Sequence, residues 1–351
     1  MPLIGTRAGA SARGFSHMSS TILPGFNNNS VLAVAHDGSP YIAAYKFNDV
    51  TGYGTKYSNP ASLPAGNGNS IRFFPDGATV ALGQSATRGF DAYPWNSSTG
   101  FGTRYTSPGS ITDYIYNIAI NPAGTVIAGA SLSSPGVYAY PWSSGFGTKY
   151  ANPSTLPVTA GGVGYGVDFN PAGTVLMVVT STSPYIYAYA WSSGFGSKYA
   201  DPATVPTYGS DGKVKFHPSG NSFLLSAIIG SVYAWSSGFG SKYTNPGTFP
   251  TSTSGGTWNS AGTIVTFAGN NNLHAYAWDN STGFGTKYTS PASFPFITTK
   301  QVAWNPTGTA ISVGATTSPY VYTYAWYNGF QSRYSDPATP PGGTANEVAF
   351  I

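Results

Sequence analysis

Several residue types that carry much of protein chemistry are absent or scarce in this chain of 351 residues. It has no cysteine, which excludes disulfide bonds and thiolate metal sites. Charged residues make up 7% of the sequence, and Glu347 is the single glutamate. The longest apolar stretches, at residues 175–179 and 223–229, are too short to cross a bilayer, and residues 1–20 lack the apolar core of a secretory signal. We therefore predict neither membrane insertion nor secretion.

The residues that are abundant are Gly, Ser, Thr, Asn, Pro and Tyr, a mixture that favours strands and turns over helices. Aromatic residues amount to 15% of the chain, which supplies enough apolar surface for a folded core and argues against disorder. The net charge of +4 is mild, and about half of the basic residues occupy one repeated position. No dense basic patch remains, so we predict no nucleic-acid binding.

A nine-residue phrase, Gly-aromatic-Gly-Thr/Ser-Lys/Arg-Tyr-x-x-Pro, recurs seven times, with Gln331 in place of the second Gly in the last copy. Successive copies of its tyrosine are 48, 45, 49, 44, 45 and 46 residues apart. A period near 45 residues, rich in strand formers, is typical of the blades of a β-propeller. The seven tyrosines are Tyr57, Tyr105, Tyr150, Tyr199, Tyr243, Tyr288 and Tyr334.

Within one repeat, residues 166–199 read as four strands separated by turns. The third strand, residues 185–191, alternates large aromatic side chains with Ile and Ala, so its two faces differ in size. We expect the large face of one blade to meet the small face of the next. A first-strand motif occurs seven times, but the N-terminal repeat begins without it and the seventh copy is residues 347–351. We therefore predict that the C-terminal strand completes the blade that the N-terminus begins, which closes the ring.

These observations predict an all-β fold: a seven-bladed β-propeller with four antiparallel strands per blade, in which the N- and C-terminal strands share one blade. The predicted domain covers residues 29–351, and residues 1–28 form an extended N-terminal arm. An aromatic-x-Pro-x-Gly turn followed by strands ending in Trp resembles the WD-repeat family, although only Trp278-Asp279 gives that family's Trp-Asp pair. The resemblance implies the architecture and a general role as an interaction platform, and no site.

The arm is small, basic and rich in Gly, Ala and Ser, and it resembles short N-terminal stretches of bacteriophage tail and other virion-associated proteins. The resemblance implies a tether that docks onto another virion protein, and a plain disordered leader is the alternative. The blades, poor in charge and rich in Tyr, Gly and Ser, also resemble phage structural proteins. The candidate tether residues are Ile4, Arg7, Arg13 and Phe15.

Residues that would carry catalysis or bind a metal form no recognisable pattern. The four histidines fall in different repeats without ligand spacing, and the scattered aspartates lie mostly in turns. A glycosidase pair of carboxylates brought together by the ring stays possible in principle, but no two acids are singled out. We therefore predict no catalytic residues, no metal and no cofactor.

One cation occupies the same position in all seven repeats, which predicts a basic ring on the outer strands. It has two interpretations: protection of strand edges against pairing, or contact with an acidic protein or a surface polysaccharide. The ring consists of Lys56, Arg104, Lys149, Lys198, Lys242, Lys287 and Arg333.

The connections that follow the fourth strands vary between repeats and lie on one face of the predicted propeller. Exposed aromatic residues among polar ones suit contacts with proteins or sugars, and ordinary loop variation is the alternative. The candidate residues are Tyr114, Tyr116, Tyr165, Tyr208, Phe296 and Lys300.

Together these features predict a non-enzymatic structural protein of a bacteriophage particle, a decoration, neck or tail component held through its arm by other virion proteins and assembled in the host cytoplasm. The alternative is a propeller that binds carbohydrate, such as host surface polysaccharide. A hydrolase is the third class.

Overall fold

A computed structural model describes residues 29–351 except residues 110, 112, 160, 208–211, 251, 293 and 296. The arm, with its candidate tether residues Ile4, Arg7, Arg13 and Phe15, lies outside this part of the chain, as do Tyr208 and Phe296. The described residues form 27 strands and no helix.

The strands group into seven antiparallel sheets, which we number as blades 1 to 7 along the chain. Blade 1 contains β1 (Asn29–His36), β2 (Ile42–Asn48) and β3 (Gly52–Lys56). Blade 2 contains β4 (Gly68–Phe73), β5 (Thr79–Gln84), β6 (Phe90–Asn96) and β7 (Gly100–Phe101). Blade 3 contains β8 (Ile115–Ile120), β9 (Val126–Ser131) and β10 (Val137–Pro141). Blade 4 contains β11 (Gly164–Phe169), β12 (Val175–Thr180), β13 (Ile186–Trp191) and β14 (Phe195–Lys198).

Blade 5 contains β15 (Lys213–Phe216), β16 (Ser222–Ser226), β17 (Ser231–Trp235) and β18 (Phe239–Lys242). Blade 6 contains β19 (Gly255–Trp258), β20 (Ile264–Gly269), β21 (Asn272–Asp279) and β22 (Gly283–Lys287). Blade 7 contains β23 (Thr299–Trp304), β24 (Ala310–Ala315), β25 (Val321–Trp326) and β26 (Phe330–Arg333). The last strand, β27 (Ala345–Phe350), returns to blade 1.

The seven-bladed propeller predicted from the repeat is therefore confirmed. Its fourth strand is much reduced in blade 3, where a single bridge between Trp142 and Phe146 takes its place. The phrase still follows the third strand there, because the Gly147 and Tyr150 N–H groups donate to the carbonyls of Pro141 and Ala139. The blade keeps the four-stranded path with fewer paired residues.

The predicted seam is confirmed as well. In blade 1 the strand order is β27-β1-β2-β3, and β27 pairs with β1 from Leu32 opposite Phe350 to His36 opposite Ala345. The backbones of Val31 and Ile351 exchange two hydrogen bonds beyond that ladder. The ring is thus closed by pairing between the two ends of the described chain.

Neighbouring blades interlock as the alternating third strand predicts. In the core between blades 3 and 4, small residues such as Ala128 and Ala139 pack against Leu176, Tyr189 and Trp191. The other face of blade 4 presents Ile186 and Ala188 to the large residues of blade 5. The complementary sizes let the sheets approach closely, and this burial of apolar surface stabilises the ring.

The repeated tyrosine makes the outermost of these contacts between blades. Each ring packs edge-on against the strand-final aromatic residue of the following blade, with ring centroids 4.8–5.2 Å apart. Tyr57, for example, contacts Trp95, and Tyr334 contacts Phe47 across the seam. The phrase recurs in sequence because each copy joins two blades.

Candidate functional site

The first strands of the seven blades surround the central axis. They contact one another in the order β27, β4, β8, β11, β15, β19 and β23, and β23 contacts β27 again. Side chains that alternate along these strands therefore point into a central channel. Most polar residues of the channel come from this one element of each blade.

Two cavities lie along this channel. The upper cavity, of about 170 Å³, is near the starts of the first strands, and its lining includes Tyr116, Lys213, Lys300 and Asn346. The lower cavity, of about 300 Å³, extends towards the ends of the same strands. Its polar lining includes Arg72, Asn117, Lys213, Lys215, Gln301 and Glu347.

Glu347 is a buried carboxylate in the lower cavity. Its Oε1 is 2.5 Å from Nη1 of Arg72, and its Oε2 accepts a hydrogen bond of 3.1 Å from the backbone N–H of Ile71. Arg72 Nη1 also donates to the Ile71 carbonyl at 2.8 Å, which fixes the guanidinium against β4. The pair joins the closing strand β27 to blade 2 and holds the carboxyl group at the wall of the lower cavity.

A second acid lies in the channel with similar partners. Asp168 Oδ1 is 3.0 Å from Nζ of Lys215, and its Oδ2 accepts from the Phe216 N–H at 2.8 Å. Ser70 and Asn117 accept N–H groups of the next blade in the same way, from Ile118 and Val167. Channel acceptors thus satisfy backbone donors that the inner strands present to the axis.

Lys213 connects the two cavities, because it lines both of them. Its Nζ donates to the carbonyls of Tyr165 at 3.0 Å and Tyr116 at 3.2 Å. The rings of these two tyrosines lie 5.8 Å apart. The ammonium group is therefore anchored at the upper rim by the strands of blades 3 and 4.

Three of the candidate loop residues meet at the channel, although they lie in strands and not in loops. Tyr116, Tyr165 and Lys300 belong to β8, β11 and β23, so their predicted place in variable connections is wrong. The bulges that shift the register at the starts of these strands explain the misreading, because there the strand pattern is interrupted. Tyr114 lies just before β8 and is 40% exposed.

The basic ring lies on the outer edge of the propeller, far along each blade from the channel strands. Lys198 and Arg333 pair with Asp201 and Asp336, three residues further on. Lys149, Lys198 and Arg333 also lie over tyrosine rings of the third strands, at 4.4–5.3 Å from the ring centroids. In blade 2, Asp91 replaces that tyrosine, and Arg104 binds its carboxylate at 3.0 Å. Both interpretations of the ring stay predictions, and these contacts give the cations structural partners.

The three histidines in the described part of the chain, His36, His217 and His274, are buried and do not cluster. Burial lowers the pKa of His36 and of His274 to about 4, so both rings are neutral near pH 7. Within the described residues there is no group of three or more His, Asp or Glu side chains that could hold a metal ion. The same part of the chain contains no helix able to span a membrane.

Sequence reasoning missed the charged residues of the channel, namely Arg72, Asp168, Lys213, Lys215 and Glu347. A signal for them exists in the first-strand motif. One channel-facing position holds Ala119, Ala303 and Ala349 in three blades but Arg72, Asp168 and Lys215 in three others. A comparison of the seven copies at this position would have identified these charged residues as candidates for a site at the central axis.

Comparisons with known proteins bear on the fold. No family model matches the chain, and no curated protein matches its sequence. Among solved structures, a proposed 6-phosphogluconolactonase from Bacteroides fragilis is 13% identical with a TM-score of 0.73, covering 92% of this chain and 98% of that one. The periplasmic gluconolactonase of Pseudomonas aeruginosa is 15% identical with a TM-score of 0.69, covering 92% and 99%. The β-propeller domain of Cps50 (Swd1) from Myceliophteria thermophila is 13% identical with a TM-score of 0.60, covering 84% and 96%.

These likenesses correct the functional prediction made from the sequence. A non-enzymatic virion component is the wrong reading, because the solved structures that this chain resembles include proteins named as lactonases and none of those named above is a virion protein. At 13–15% identity the likeness itself shows the propeller fold alone. The chemistry must therefore be argued from the channel. Nothing tests the predicted partners, polysaccharide contact or location, which stay predictions.

Proposed function

We propose that this protein is a hydrolase of sugar lactones and that its active site is the lower cavity of the central channel. The observation that carries the proposal is the pairing of Glu347 with Arg72 at 2.5 Å, in a cavity of about 300 Å³ that Lys213 and Lys215 also line. A cavity of this size suits a small ligand. The lactonase names of the structural neighbours supply the reaction class.

Hydrolysis of a lactone requires a proton acceptor for water and positive charge near the carbonyl oxygen. A carboxylate has about four acceptor sites, and Glu347 uses one for Arg72 and one for the Ile71 N–H. It keeps the capacity to accept a hydrogen bond from a water molecule in the cavity. We assign Glu347 as the general base.

The cations of the cavity complete the reaction. The water oxygen attacks the lactone carbonyl carbon while its proton passes to Glu347, and the negative charge that develops on the carbonyl oxygen faces Arg72 and Lys215. The ring C–O bond then breaks, and Glu347 returns the proton to the leaving alkoxide. Water and lactone thus become one hydroxy acid, with no other reactant.

The test is to replace Glu347 with Gln, which keeps the side-chain shape and an acceptor for the Ile71 N–H but removes the base. We expect kcat for D-glucono-1,5-lactone to fall by about 100-fold or more, within the range for loss of a general base. Hydrolysis is measured as acid release at constant pH, with the spontaneous rate subtracted.

The control is Asp336→Asn. Asp336 is an acid paired with Arg333 on the outer edge of the propeller, and it does not line the lower cavity. We expect its kcat to stay within about three-fold of the native value, since the change lies outside the channel. A native protein that hydrolyses neither neutral nor acidic sugar lactones above the spontaneous rate overturns the proposed function. Equal loss in both variants overturns the role of Glu347.

A further inference from the structure

Blade 2 carries two arginines against one buried carboxylate at its outer edge. Asp91 of β6 is fully buried, and its Oδ1 is 3.0 Å from Nε of Arg88 and 3.0 Å from Nη1 of Arg104. Nη2 of Arg88 donates to the other carboxylate oxygen, Oδ2, at 3.0 Å. Because both cations lie against the same oxygen, the two guanidinium groups are neighbours, and this cluster of three side chains has one positive charge in excess.

Neutral hydrogen-bond donors hold this cluster in place. Gln84 Nε2 donates to Asp91 Oδ2 at 2.9 Å, and Ser107 Oγ donates to Oδ1 at 2.9 Å. The Oε1 of Gln84 in turn accepts two backbone N–H groups. Arg88 Nη2 also donates to the carbonyl of Leu63 at 3.1 Å, in the connection that enters blade 2. Because the arginines are already fixed by these contacts, binding a ligand between them costs little ordering entropy.

The basic-ring cation of blade 2 differs from its counterparts in how its donors are used. In blades 1, 3, 4 and 7 the residue three positions after the cation, an Asn or an Asp, accepts a hydrogen bond from it. In blade 2 that residue is Ser107, whose hydroxyl donates to Asp91. Nη2 and Nε of Arg104, and Nη1 of Arg88, have no hydrogen-bond partner among the described residues. The side chains of Arg88 and Arg104 are 29% and 25% exposed, so a ligand in solution can reach them.

Guanidinium donors on two neighbouring arginines suit a ligand that presents several anionic oxygens. A carboxylate has two oxygens, which one arginine fork already satisfies, whereas a phosphate or sulfate group directs oxygens towards both side chains. We propose that Arg88 and Arg104 form a binding site for a phosphate or sulfate group at the outer edge of blade 2. Neither arginine lines a cavity of the channel, so the site is independent of the proposed lactone hydrolysis. The group comes either as a free ion or on a sulfated polysaccharide.

The experiment measures binding of inorganic phosphate, inorganic sulfate and a sulfated heparin hexasaccharide to the native protein, Arg88→Gln and Arg104→Gln. Titrations at constant ionic strength are followed through the Nε–H NMR signals of the arginines, which report on each guanidinium group. We expect the native protein to bind the favoured oxyanion in the millimolar range, and each substitution to weaken binding by about ten-fold, the range for losing one charged hydrogen bond. Each variant keeps one arginine paired with Asp91, and thermal unfolding verifies that both are folded.

The matched control is Arg333→Gln. Arg333 occupies in blade 7 the position that Arg104 has in blade 2, but its guanidinium lies over the ring of Tyr322 and pairs with Asp336. The substitution removes the same charge from the basic ring, so it separates the site on blade 2 from attraction to the ring as a whole. We expect it to change the dissociation constant by less than about two-fold, since exposed charges at a distance are screened by salt.

Saturable binding that both blade 2 substitutions weaken, and that Arg333→Gln does not, supports the site. If the hexasaccharide binds more tightly than free sulfate and Arg104→Gln removes that gain, the group is carried on a polysaccharide; otherwise the site takes the free ion. The proposal is overturned if the native protein binds none of the three ligands, if either blade 2 substitution leaves binding unchanged, or if Arg333→Gln weakens binding equally.

Discussion

The ring of each repeated tyrosine packs edge-on against an aromatic ring of the next blade. Of the seven tyrosine hydroxyls, three donate a hydrogen bond to a described residue. Tyr57, Tyr243 and Tyr334 donate to the carbonyls of Ser97, Asn280 and Asp49. These carbonyls lie in the hairpins between the third and fourth strands of blades 2, 6 and 1, which are two residues longer than the corresponding hairpins of the other blades. The two hairpin lengths in the sequence therefore decide which tyrosine hydroxyl is bonded to protein.

This difference predicts unequal effects of the same substitution. Tyr57→Phe removes a hydroxyl that donates to Ser97 O at 2.5 Å, and we expect it to lower the free energy of unfolding by about 1 kcal/mol. Tyr199 packs against Trp235 of blade 5, which has the shorter hairpin. Tyr199→Phe keeps this ring contact and removes no hydrogen bond to a described residue. It should stay within about 0.5 kcal/mol of the native value. Urea unfolding measures both, and equal losses would contradict the role of the hairpin.

At the level of the strands, neighbouring blades are joined around the axis by side chains that accept the backbone N–H groups of the next first strand. Ser70 Oγ accepts from Ile118 N at 3.0 Å and from Asn117 Nδ2 at 3.2 Å. Asn117 Oδ1 then accepts from Val167 N at 3.0 Å. In this relay of hydrogen bonds, Ser70 and Asn117 join neighbouring blades and thus have a structural role. They differ in this from the channel residues that would contact a ligand.

Ser70→Ala tests this relay. The substitution leaves the buried Ile118 N–H without its acceptor, so we expect the free energy of unfolding to fall by about 2 kcal/mol, in the range for an unsatisfied buried donor. Ser98→Ala, at an exposed hairpin position, is the matched control and should change stability by less than about 0.5 kcal/mol. Chemical unfolding of the two variants is the measurement, and a Ser70→Ala protein as stable as the control refutes the relay.

The fold could be predicted from the sequence because the same contacts recur in every blade. Seven copies of one phrase report one interaction, the tyrosine on the next blade's aromatic residue, and the incomplete first motif locates the seam. The site could not be predicted, since its residues differ from blade to blade. Arg72 and Glu347 are 275 positions apart in the sequence, and only the closed ring brings them within 2.5 Å. The repeat therefore predicts the contacts that all blades share, whereas the candidate site consists of residues that differ between blades.

For the whole molecule, closure of the ring depends on blade 1, and a buried histidine lies at one end of its seam. His36 is opposite Ala345 in the β1–β27 ladder and is fully buried. Burial lowers its pKa from 6.5 to about 4. The unfolded chain therefore binds a proton between these two values while the folded protein does not. Stability from this group is complete above pH 6.5 and is lost as the pH falls towards 4.

We expect the native protein to lose about 2 kcal/mol of unfolding free energy through His36 between pH 7.5 and pH 5. In His36→Gln this contribution disappears, so the variant's loss over the same range should be smaller by about that amount. The remaining loss includes His274, whose pKa is lowered to about 4 by burial and by Lys287. Urea unfolding at the two pH values measures the difference. Identical pH dependence of the two proteins contradicts the assignment.

The geometry of the seam also has a mechanical consequence. β1 and β27 run antiparallel, and Val31 is bonded to Ile351, so residues 29 and 351 lie at the same end of the pair. A force that draws these two residues apart loads the hydrogen bonds one after another, as a zipper opens, and not all at once in shear. Under a force in this direction, we expect the β1–β27 pair to separate first. The other blades bear the force only after β27 has detached from β1.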